Sequence, residues 1–117
     1  MAKLYRTHPG EAQLLLEKIE LAESFMSRGK GLLGRKNMAE NHGLWIKPCN
    51  NIHTFFMKFS IDCIFVDRSM HVTRVIHDVK PFRMVGPYWK SHSVIETKAG
   101  FAKKYNVNKG DQLYVVS

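Results

Sequence analysis

The chain alternates short apolar segments with turn residues, a pattern that predicts a domain built mainly of β-strands. The segments KLYR (3–6) and QLLLEKIELA (13–22) flank the turn dipeptide Pro9-Gly10, so we expect a strand, a turn and a second strand. The segment GLWIKP (43–48) predicts a further short strand. The segment IDCIFVD (61–67) is apolar at nearly every position, which is typical of a central strand covered on both faces.

The rest of the chain predicts three more strands and two short helices. The strands are HVTRVIHDV (71–79), SVIET (93–97) and the end of VNKGDQLYVVS (107–117), and the helices are ESFMSRGKGLLGRK (23–36) and AGFAKKYN (99–106). Ser24 is suited to cap the first helix at its start, and Gly34 fits its C-terminal end. The segments around the helices and between the later strands read as loops.

These elements amount to about seven short strands and two short helices, joined mostly by tight turns. We therefore expect an α+β domain on a mainly antiparallel sheet, curled into a small barrel-like structure. Gly110-Asp111 resembles the "GD" turn of cradle-loop β-barrels, which makes that barrel one form the fold could take. Gly110 can adopt a positive φ, and the Asp111 side chain can bond nearby backbone amides. The length of 117 residues predicts one domain spanning 1–117.

Charge and cysteine content narrow the partners and the compartment. The net charge of +8 favours an anionic partner, but the basic residues are scattered, so nucleic acid is not the favoured partner. No apolar stretch is long enough to predict a membrane span, and the segment MAKLYRTHPGEAQ contains no signal peptide. A secreted protein held together by disulfides usually has more than two cysteines, so we expect a cytoplasmic protein with reduced thiols, although a mature secreted form stays open. A monomer or weak dimer is expected.

Cys49 and His53 are the candidate catalytic residues. A thiol and an imidazole can act as nucleophile and base, with Asp62 orienting the imidazole, which would suit a hydrolase or transferase. The competing interpretation is that Cys49 is a small buried apolar residue and that His53 bonds backbone carbonyls. We favour this second interpretation, and with it a protein that is not an enzyme.

Two carboxylates inside apolar strands, Asp62 and Glu96, indicate either a structural hydrogen-bond network or the floor of a polar pocket. With His53 and Thr54 they form the predicted ligand-binding set. A metal site would need Cys49, His53 and Cys63, with Asp62 or His71 as a fourth ligand. No paired metal motif is present, and Asp62 and Cys63 point to opposite faces of a strand. We therefore expect no metal and no cofactor.

Two basic segments are further candidates for binding. RGKGLLGRK (28–36) offers glycine amides with Arg28, Lys30 and Arg35, which could bind a phosphate or another small anion, although the segment lacks the GK[ST] ending of a Walker A motif. The loop KPFRMVGPYWKSH (80–92) places aromatic and basic side chains together. These could form a platform for single-stranded nucleic acid, but we expect them to pack the loop onto the domain.

Five phrases together carry a family resemblance: SRGKGLLGRKNM (27–38), GLWIKPCNNIHTFFMKFSIDCIFVD (43–67), VIHDVKPFR (75–83), SVIETKAG (93–100) and NVNKGDQL (106–113). The chain resembles the DUF192 (UPF0127) family of small bacterial and archaeal proteins. It departs from the family pattern at Ser60, where the resemblance implies proline, and at Cys63, where it implies valine. The resemblance implies a compact β-rich fold and no established activity or catalytic residues.

The function that these observations favour is an accessory or binding module with a polar pocket near His53, Asp62 and Glu96. Its ligand would be a small anion, a nucleotide or sugar, or a segment of a protein partner. A Cys49–His53 enzyme and a basic nucleic-acid-binding domain are the two alternatives.

Overall fold

A computed structural model of the chain describes residues 2–117, in which twelve elements follow one another along the chain. The strands are β1 (Lys3–His8), β2 (Glu11–Leu16), β3 (Lys18–Ala22), β4 (His42–Ile46), β5 (Ile52–His53), β6 (Ile61–Val66), β7 (Val72–Val79), β8 (Met84–Val85), β9 (Ser93–Lys98) and β10 (Leu113–Val116). The helices are α1 (Phe25–Lys30) and α2 (Phe101–Lys104). Neither helix of this described part has the length and hydropathy that a membrane span requires.

Three sheets form the architecture. The largest has five strands in the order β3-β4-β9-β6-β7, with β3 and β4 parallel and the other neighbours antiparallel. A three-stranded antiparallel sheet has the order β10-β1-β2, and β5 pairs with β8 in a short ribbon. The predicted α+β class, with mainly antiparallel strands and two short helices, is confirmed.

The predicted barrel closure is not confirmed. Among residues 2–117, β3 and β7 form the two edges of the five-stranded sheet and do not pair with each other. A barrel closes only when its first and last strands hydrogen-bond, so this sheet stays open. The cradle-loop form of the barrel is likewise not seen, although its local turn is: Gly110 has a φ of 95°, and Oδ2 of Asp111 accepts a hydrogen bond of 2.9 Å from the amide of Asn108.

Three local predictions also need correction. The segment 13–22 is not one strand, because it divides at Glu17 into β2 and β3, which belong to different sheets. The amides of Glu17 and Lys18 both donate to the carbonyl of Asn41, which turns the chain at this point. Strand β8 lies in a segment expected to be a loop, and β5 is a short strand that the sequence pattern does not predict. Helix α1 starts after the predicted cap Ser24 but ends at Lys30, several residues before Gly34.

Strand β6 confirms the prediction of a central strand buried on both faces. All six of its residues are buried, and it lies between β9 and β7. Its alternating side chains enter two separate cores. The first core consists of Ala22, Leu32, Met38, Leu44, Ile46, Ile52, Met57, Ile61, Cys63, Phe65, Val79, Val85 and Val94. The second core consists of Leu4, Leu15, Leu16, Ile19, Ile64, Val66, Val72, Ile95, Phe101, Ala102, Val107 and Leu113.

A buried arginine, which sequence reasoning missed, holds the loop before β10. Arg6 is 7% exposed, and its guanidinium donates to the carbonyls of Tyr105 and Asn106, to Asp111 and to Gln13. A buried guanidinium is stable only when its donors find such partners. The GD turn is therefore anchored to β1 by a charge pair of 3.0 Å between Arg6 and Asp111.

Asp62 ties β6 to two other elements. It is fully buried, and its Oδ1 accepts a hydrogen bond of 2.9 Å from the amide of Asp78 in β7. Its Oδ2 accepts from the amides of Gly100 and Ala102 at the start of α2, at 3.1 and 2.9 Å. These three bonds give the carboxylate the structural role that was one of its two predicted interpretations.

We expect Asp62→Asn to lower the free energy of unfolding by about 3 kcal/mol, because one oxygen acceptor is replaced by an amide that faces buried N–H groups. Urea denaturation measures this loss, and faster hydrogen exchange at the amides of Gly100 and Ala102 locates it. Asp67→Asn is the matched control. The Oδ1 of Asp67 accepts from Ser69 and His71 in an exposed turn, a role that asparagine can fill. Equal stability of the two variants would contradict the structural role of Asp62.

Candidate functional site

A small cavity opens on the first-core side of the five-stranded sheet, between α1 with its following glycine and the segment before β5. We call it the inner cavity. Its volume is about 130 Å³, and it is lined by Arg28, Gly29, Lys30, Gly31, Leu32, Leu33, Ile46, Cys49, Asn51, Ile52, His53, Met57 and Glu96. A more open outer cleft of about 380 Å³ adjoins it and shares Arg28, Ile46, Cys49 and Asn51 with it.

Helix α1 brings the basic and glycine-rich segment to the cavity. Ser24 and Ser27 form a reciprocal capping box that fixes the start of this one-and-a-half-turn helix. The helix ends at Lys30 and is followed by Gly31, whose φ of 48° favours glycine. A Cβ at position 31 would lie 4.0 Å from Oε1 of Glu96. This is an ordinary contact distance, so the backbone conformation, and not lack of space, accounts for the glycine.

Glu96 is the floor of the inner cavity. It lies on β9, opposite Leu44 of β4 and Cys63 of β6, and is 4% exposed. Burial among these apolar neighbours raises the pKa of Glu96 to about 7, and the positive charge of Arg35 opposes that rise. Within residues 2–117 no hydrogen-bond donor reaches its carboxyl group. Glu96 is thus a buried acceptor without a protein partner.

Arg28 and Lys30 line the inner cavity, but Arg35 does not. Nη1 of Arg28 donates to the carbonyl of Pro48 at 3.1 Å, which holds the guanidinium between the cavity and the outer cleft. Its Nε is buried and finds no acceptor in the part of the chain that the structure describes. Arg35 instead forms an exposed ion pair with Glu20 at 3.2 Å. Of the three residues predicted to bind an anion, Arg28 and Lys30 therefore lie at the cavity and Arg35 lies at the exposed surface.

Cys49 and His53 both line the cavity without forming a catalytic pair. The thiol of Cys49 donates to the carbonyl of Asn51 at 2.9 Å, and burial raises its pKa. No hydrogen bond between Cys49 and His53 occurs among the described residues, and the imidazole lies against Phe55 with ring centroids 5.2 Å apart. Both cysteines are free thiols. Burial raises the pKa of Cys63 well above its ordinary value, and the neighbouring Glu96 adds to this rise.

Asp62 and Thr54, the other two members of the predicted ligand-binding set, lie outside the inner cavity. Asp62 faces the opposite side of the sheet from Glu96, because Cys63, the next residue along β6, is the one that pairs with Glu96. It borders a separate cleft of about 690 Å³ near α2, where its oxygens already accept three hydrogen bonds. The side chain of Thr54 is fully buried and bonds the backbone of residues 80–83. Only His53 and Glu96 of the set meet at the cavity.

Two further predictions concern metals and the aromatic loop. In the part of the chain that the structure describes, no three His, Cys, Asp or Glu side chains converge as a metal site. Tyr88 packs edge-on against Phe65 at 5.0 Å and carries Arg74 over its ring, as the packing interpretation requires. Trp89 and Phe82 instead remain 82% and 58% exposed. Asn51 and Met57 were missed as lining residues, since neither carries a motif that sequence reasoning can recognise.

The raised pKa of Glu96 predicts a specific dependence of stability on pH. Because the folded pKa of about 7 exceeds the unfolded value of 4.5, Glu96 contributes stability that is fully present below pH 4.5 and lost as the pH rises through 7. The loss should be about 3 kcal/mol for a fully buried group. Urea denaturation of wild type and Glu96→Gln at pH values on either side of this window measures it, since the amide cannot ionise. The exposed Glu20→Gln is the control, and equal pH slopes for wild type and Glu96→Gln would contradict the assignment.

The surroundings of Cys49 predict a slow thiol. At neutral pH we expect iodoacetamide to alkylate Cys49 roughly tenfold more slowly than a free cysteine, because the protonated thiol is the favoured form. Cys63 should stay unmodified until the protein unfolds. Mass spectrometry of the alkylated protein distinguishes the two sites. Rapid alkylation of native Cys49 would instead support the thiol enzyme.

Curated relatives are similar to this chain over most of its length. The chain is 34% identical over 102 residues to a UPF0127 protein of Pyrococcus abyssi, with 82% of this chain and 84% of that protein covered. It is 33% identical over 100 residues to a UPF0127 protein of Thermococcus kodakarensis, covering 80% of this chain. The chain matches only 62% of the length of that second relative.

Two solved structures have the same fold. A protein of Sinorhizobium meliloti, described as a proposed transcription regulator, superposes with a TM-score of 0.83 at 22% identity and covers 98% of this chain and 94% of its own. A protein of unknown function from Novosphingobium aromaticivorans gives a TM-score of 0.82 at 19% identity, covering 96% and 83%. The family model DUF192, described as an uncharacterized ACR, matches residues 6–115. The predicted resemblance is thereby confirmed, and the chain belongs to the DUF192 (UPF0127) family.

Proposed function

We propose that the protein is a binding module for a small polar ligand that carries both an acidic group and a hydrogen-bond donor. One observation carries this proposal: the inner cavity is bordered by Nε of Arg28, a buried donor without an acceptor, and by the carboxyl group of Glu96, which receives no hydrogen bond from residues 2–117. An unsatisfied buried donor is costly, and so is a carboxyl group held among apolar side chains, so a ligand that bonds both groups would relieve two costs at once.

The chemistry of the two groups defines the ligand. Arg28 and the nearby Lys30 suit a carboxylate or phosphate, because guanidinium and ammonium groups form charge-assisted hydrogen bonds with such anions. Glu96 suits a hydroxyl or amino group. A bound ammonium group would favour the ionised form of Glu96, since an opposite charge nearby lowers the pKa of a carboxyl group. Small amino acids and hydroxy acids combine these features.

The size of the cavity limits the ligand further. A volume of about 130 Å³ is similar to that of cavities known to hold one benzene-sized molecule, which has about six non-hydrogen atoms. A larger ligand would place its remaining atoms in the outer cleft, which shares Arg28 and Cys49 with the cavity. The acidic group would then lie at this shared border and the donor group at the floor.

The two alternatives have less support. A thiol enzyme requires a reactive thiolate near its base, whereas the thiol of Cys49 donates to Asn51 and burial raises its pKa. A nucleic-acid binder requires free basic side chains in a continuous tract. Part of the positive charge is internal or paired, with Arg6 buried against Asp111 and Arg35 bonded to Glu20. The regulator description of the Sinorhizobium meliloti neighbour supports a fold relationship only.

The proposal predicts that small amino acids or hydroxy acids bind the wild-type protein, whereas acetate and methylamine, which each carry one of the two groups, do not. Saturation-transfer NMR with a panel of these compounds detects binding, and a thermal-shift titration ranks it. Glu96→Gln and Arg28→Gln should each weaken binding by about tenfold or more, because each removes one charge-assisted hydrogen bond.

Arg68→Gln is the matched control, since Arg68 is exposed and does not border the inner cavity or the outer cleft. This variant should bind like wild type. Urea denaturation confirms that each variant is folded. Failure of every two-group compound to bind, or equal binding by wild type and both cavity variants, would rule out the proposed class of ligand.

A further inference from the structure

A cluster of exposed apolar side chains lies beside the ribbon of β5 and β8, and we call it the apolar ridge. Its members Phe56, Phe82 and Met84 are 74%, 58% and 74% exposed, and the half-buried Phe55 lies under them. Exposed apolar side chains are ordinary when single, but a contiguous group marks a surface that contacts something apolar.

The backbone holds the two exposed phenylalanines in a conformation that bulky residues rarely adopt. Phe56 has a φ of 64° and Phe82 a φ of 63°, both in the left-handed region. Strained residues of this kind persist only where surrounding interactions fix them, and they concentrate at functional positions. The outward positions of Phe56 and Phe82 therefore depend on interactions elsewhere in the fold that hold their backbone in this conformation.

Buried Thr54 supplies these fixing interactions. Its backbone amide donates to the carbonyl of Arg83, and its carbonyl accepts from the amides of Phe82 and Met57. Its hydroxyl donates to the carbonyl of Lys80 at 2.6 Å and accepts from the amide of Arg83 at 2.9 Å. One side chain thus joins the loop that carries Phe56 to the loop that carries Phe82, and this explains the conspicuous threonine between His53 and the phenylalanines.

The packing of the rings favours a continuous apolar surface over separate stacking platforms. Phe56 and Phe82 meet edge-to-face, with centroids 5.7 Å apart and an interplanar angle of 71°. Phe55 and Phe82 are 6.4 Å apart and tilted by 31°. Nucleic-acid bases stack on open aromatic faces, and here the rings pack against one another instead.

The charges next to the ridge are basic. The segments 53–60 and 80–85 contain Lys58, Lys80 and Arg83 and no aspartate or glutamate. Lys80 is paired with Asp78 at 2.8 Å, whereas Lys58 and Arg83 are exposed. Apolar side chains flanked by basic ones are typical of surfaces that enter the interface of a membrane with anionic lipids.

We propose that the apolar ridge docks on an anionic lipid membrane surface. Phe56, Phe82 and Met84 enter the boundary between headgroups and acyl chains, and Lys58 and Arg83 contact lipid phosphates. This site is distinct from the inner cavity, although His53 lines the cavity and contacts Phe55 of the ridge. A membrane suits the ridge because exposed apolar side chains lie next to the exposed basic residues Lys58 and Arg83, a combination that matches acyl chains beneath anionic headgroups.

Vesicle co-sedimentation of the full chain tests the proposal. We expect binding to vesicles with roughly 30% phosphatidylglycerol in phosphatidylcholine, and little binding to phosphatidylcholine alone. The double variant Phe56→Asn/Phe82→Asn should bind these vesicles at least about tenfold more weakly than wild type, because both inserted rings are lost. Asparagine adopts a positive φ more readily than phenylalanine, so this variant should fold, and thermal unfolding checks this. Lys58→Gln/Arg83→Gln should reduce the preference for anionic vesicles.

The matched control is Leu14→Thr/Val116→Thr, which changes two apolar residues of the other sheet that are 39% and 47% exposed. This variant should bind vesicles like wild type. Equal vesicle binding by wild type and the phenylalanine variant would overturn the proposal, since the net positive charge alone would then explain the attraction. Absence of vesicle binding would overturn it as well. Another outcome would reassign the ridge to single-stranded nucleic acid. In that case wild type would bind poly(U) but not vesicles, and only the phenylalanine variant would lose poly(U) binding.

Discussion

The burial of β6 on both faces determines where the other groups of this protein lie. A strand sends successive side chains to opposite sides, so Asp62 and Cys63 enter different halves of the molecule. Each half must then be covered. The three-stranded sheet and α2 cover the second core, and the segments 32–38 and 48–60 cover the first. The inner cavity forms on the side that is covered by a short helix and loops, where packing is less regular than between two sheets.

The two buried carboxylates of the domain show why burial alone does not reveal a role. Asp62 and Glu96 are 0% and 4% exposed and lie on neighbouring strands. Asp62 receives three backbone amides, because the start of α2 and the irregular pairing of β7 leave those amides free. Glu96 faces aliphatic side chains and Gly31, where no donor is available among the described residues. The number of donors, rather than the depth of burial, separates a structural carboxylate from one that can receive a ligand.

Sequence patterns predict the parts of this fold that depend on neighbours along the chain. The continuous apolar run of β6, the cap at Ser24 and the GD turn are local signals, and each is confirmed. The pairing of Cys63 with Glu96 joins residues that are far apart in the sequence, so local patterns do not determine it. A shift of one residue in that register would have placed Asp62 beside the cavity. Barrel closure likewise depends on whether the two edge strands meet. His53 and Glu96 could thus be identified as site residues, but Asp62 could not be separated from them.

The segment 52–56 joins the cavity, the core and the ridge within five residues. Ile52 enters the first core, His53 borders the cavity, Thr54 bonds the neighbouring loop, and Phe56 projects into solvent. A left-handed residue costs about 1–2 kcal/mol, and the hydrogen bonds of Thr54 are worth about as much together. If Thr54 lost them, both phenylalanines would relax, and the chain that forms one wall of the cavity would move with them. Thr54 is therefore the point at which the shape of the cavity and the shape of the ridge depend on each other.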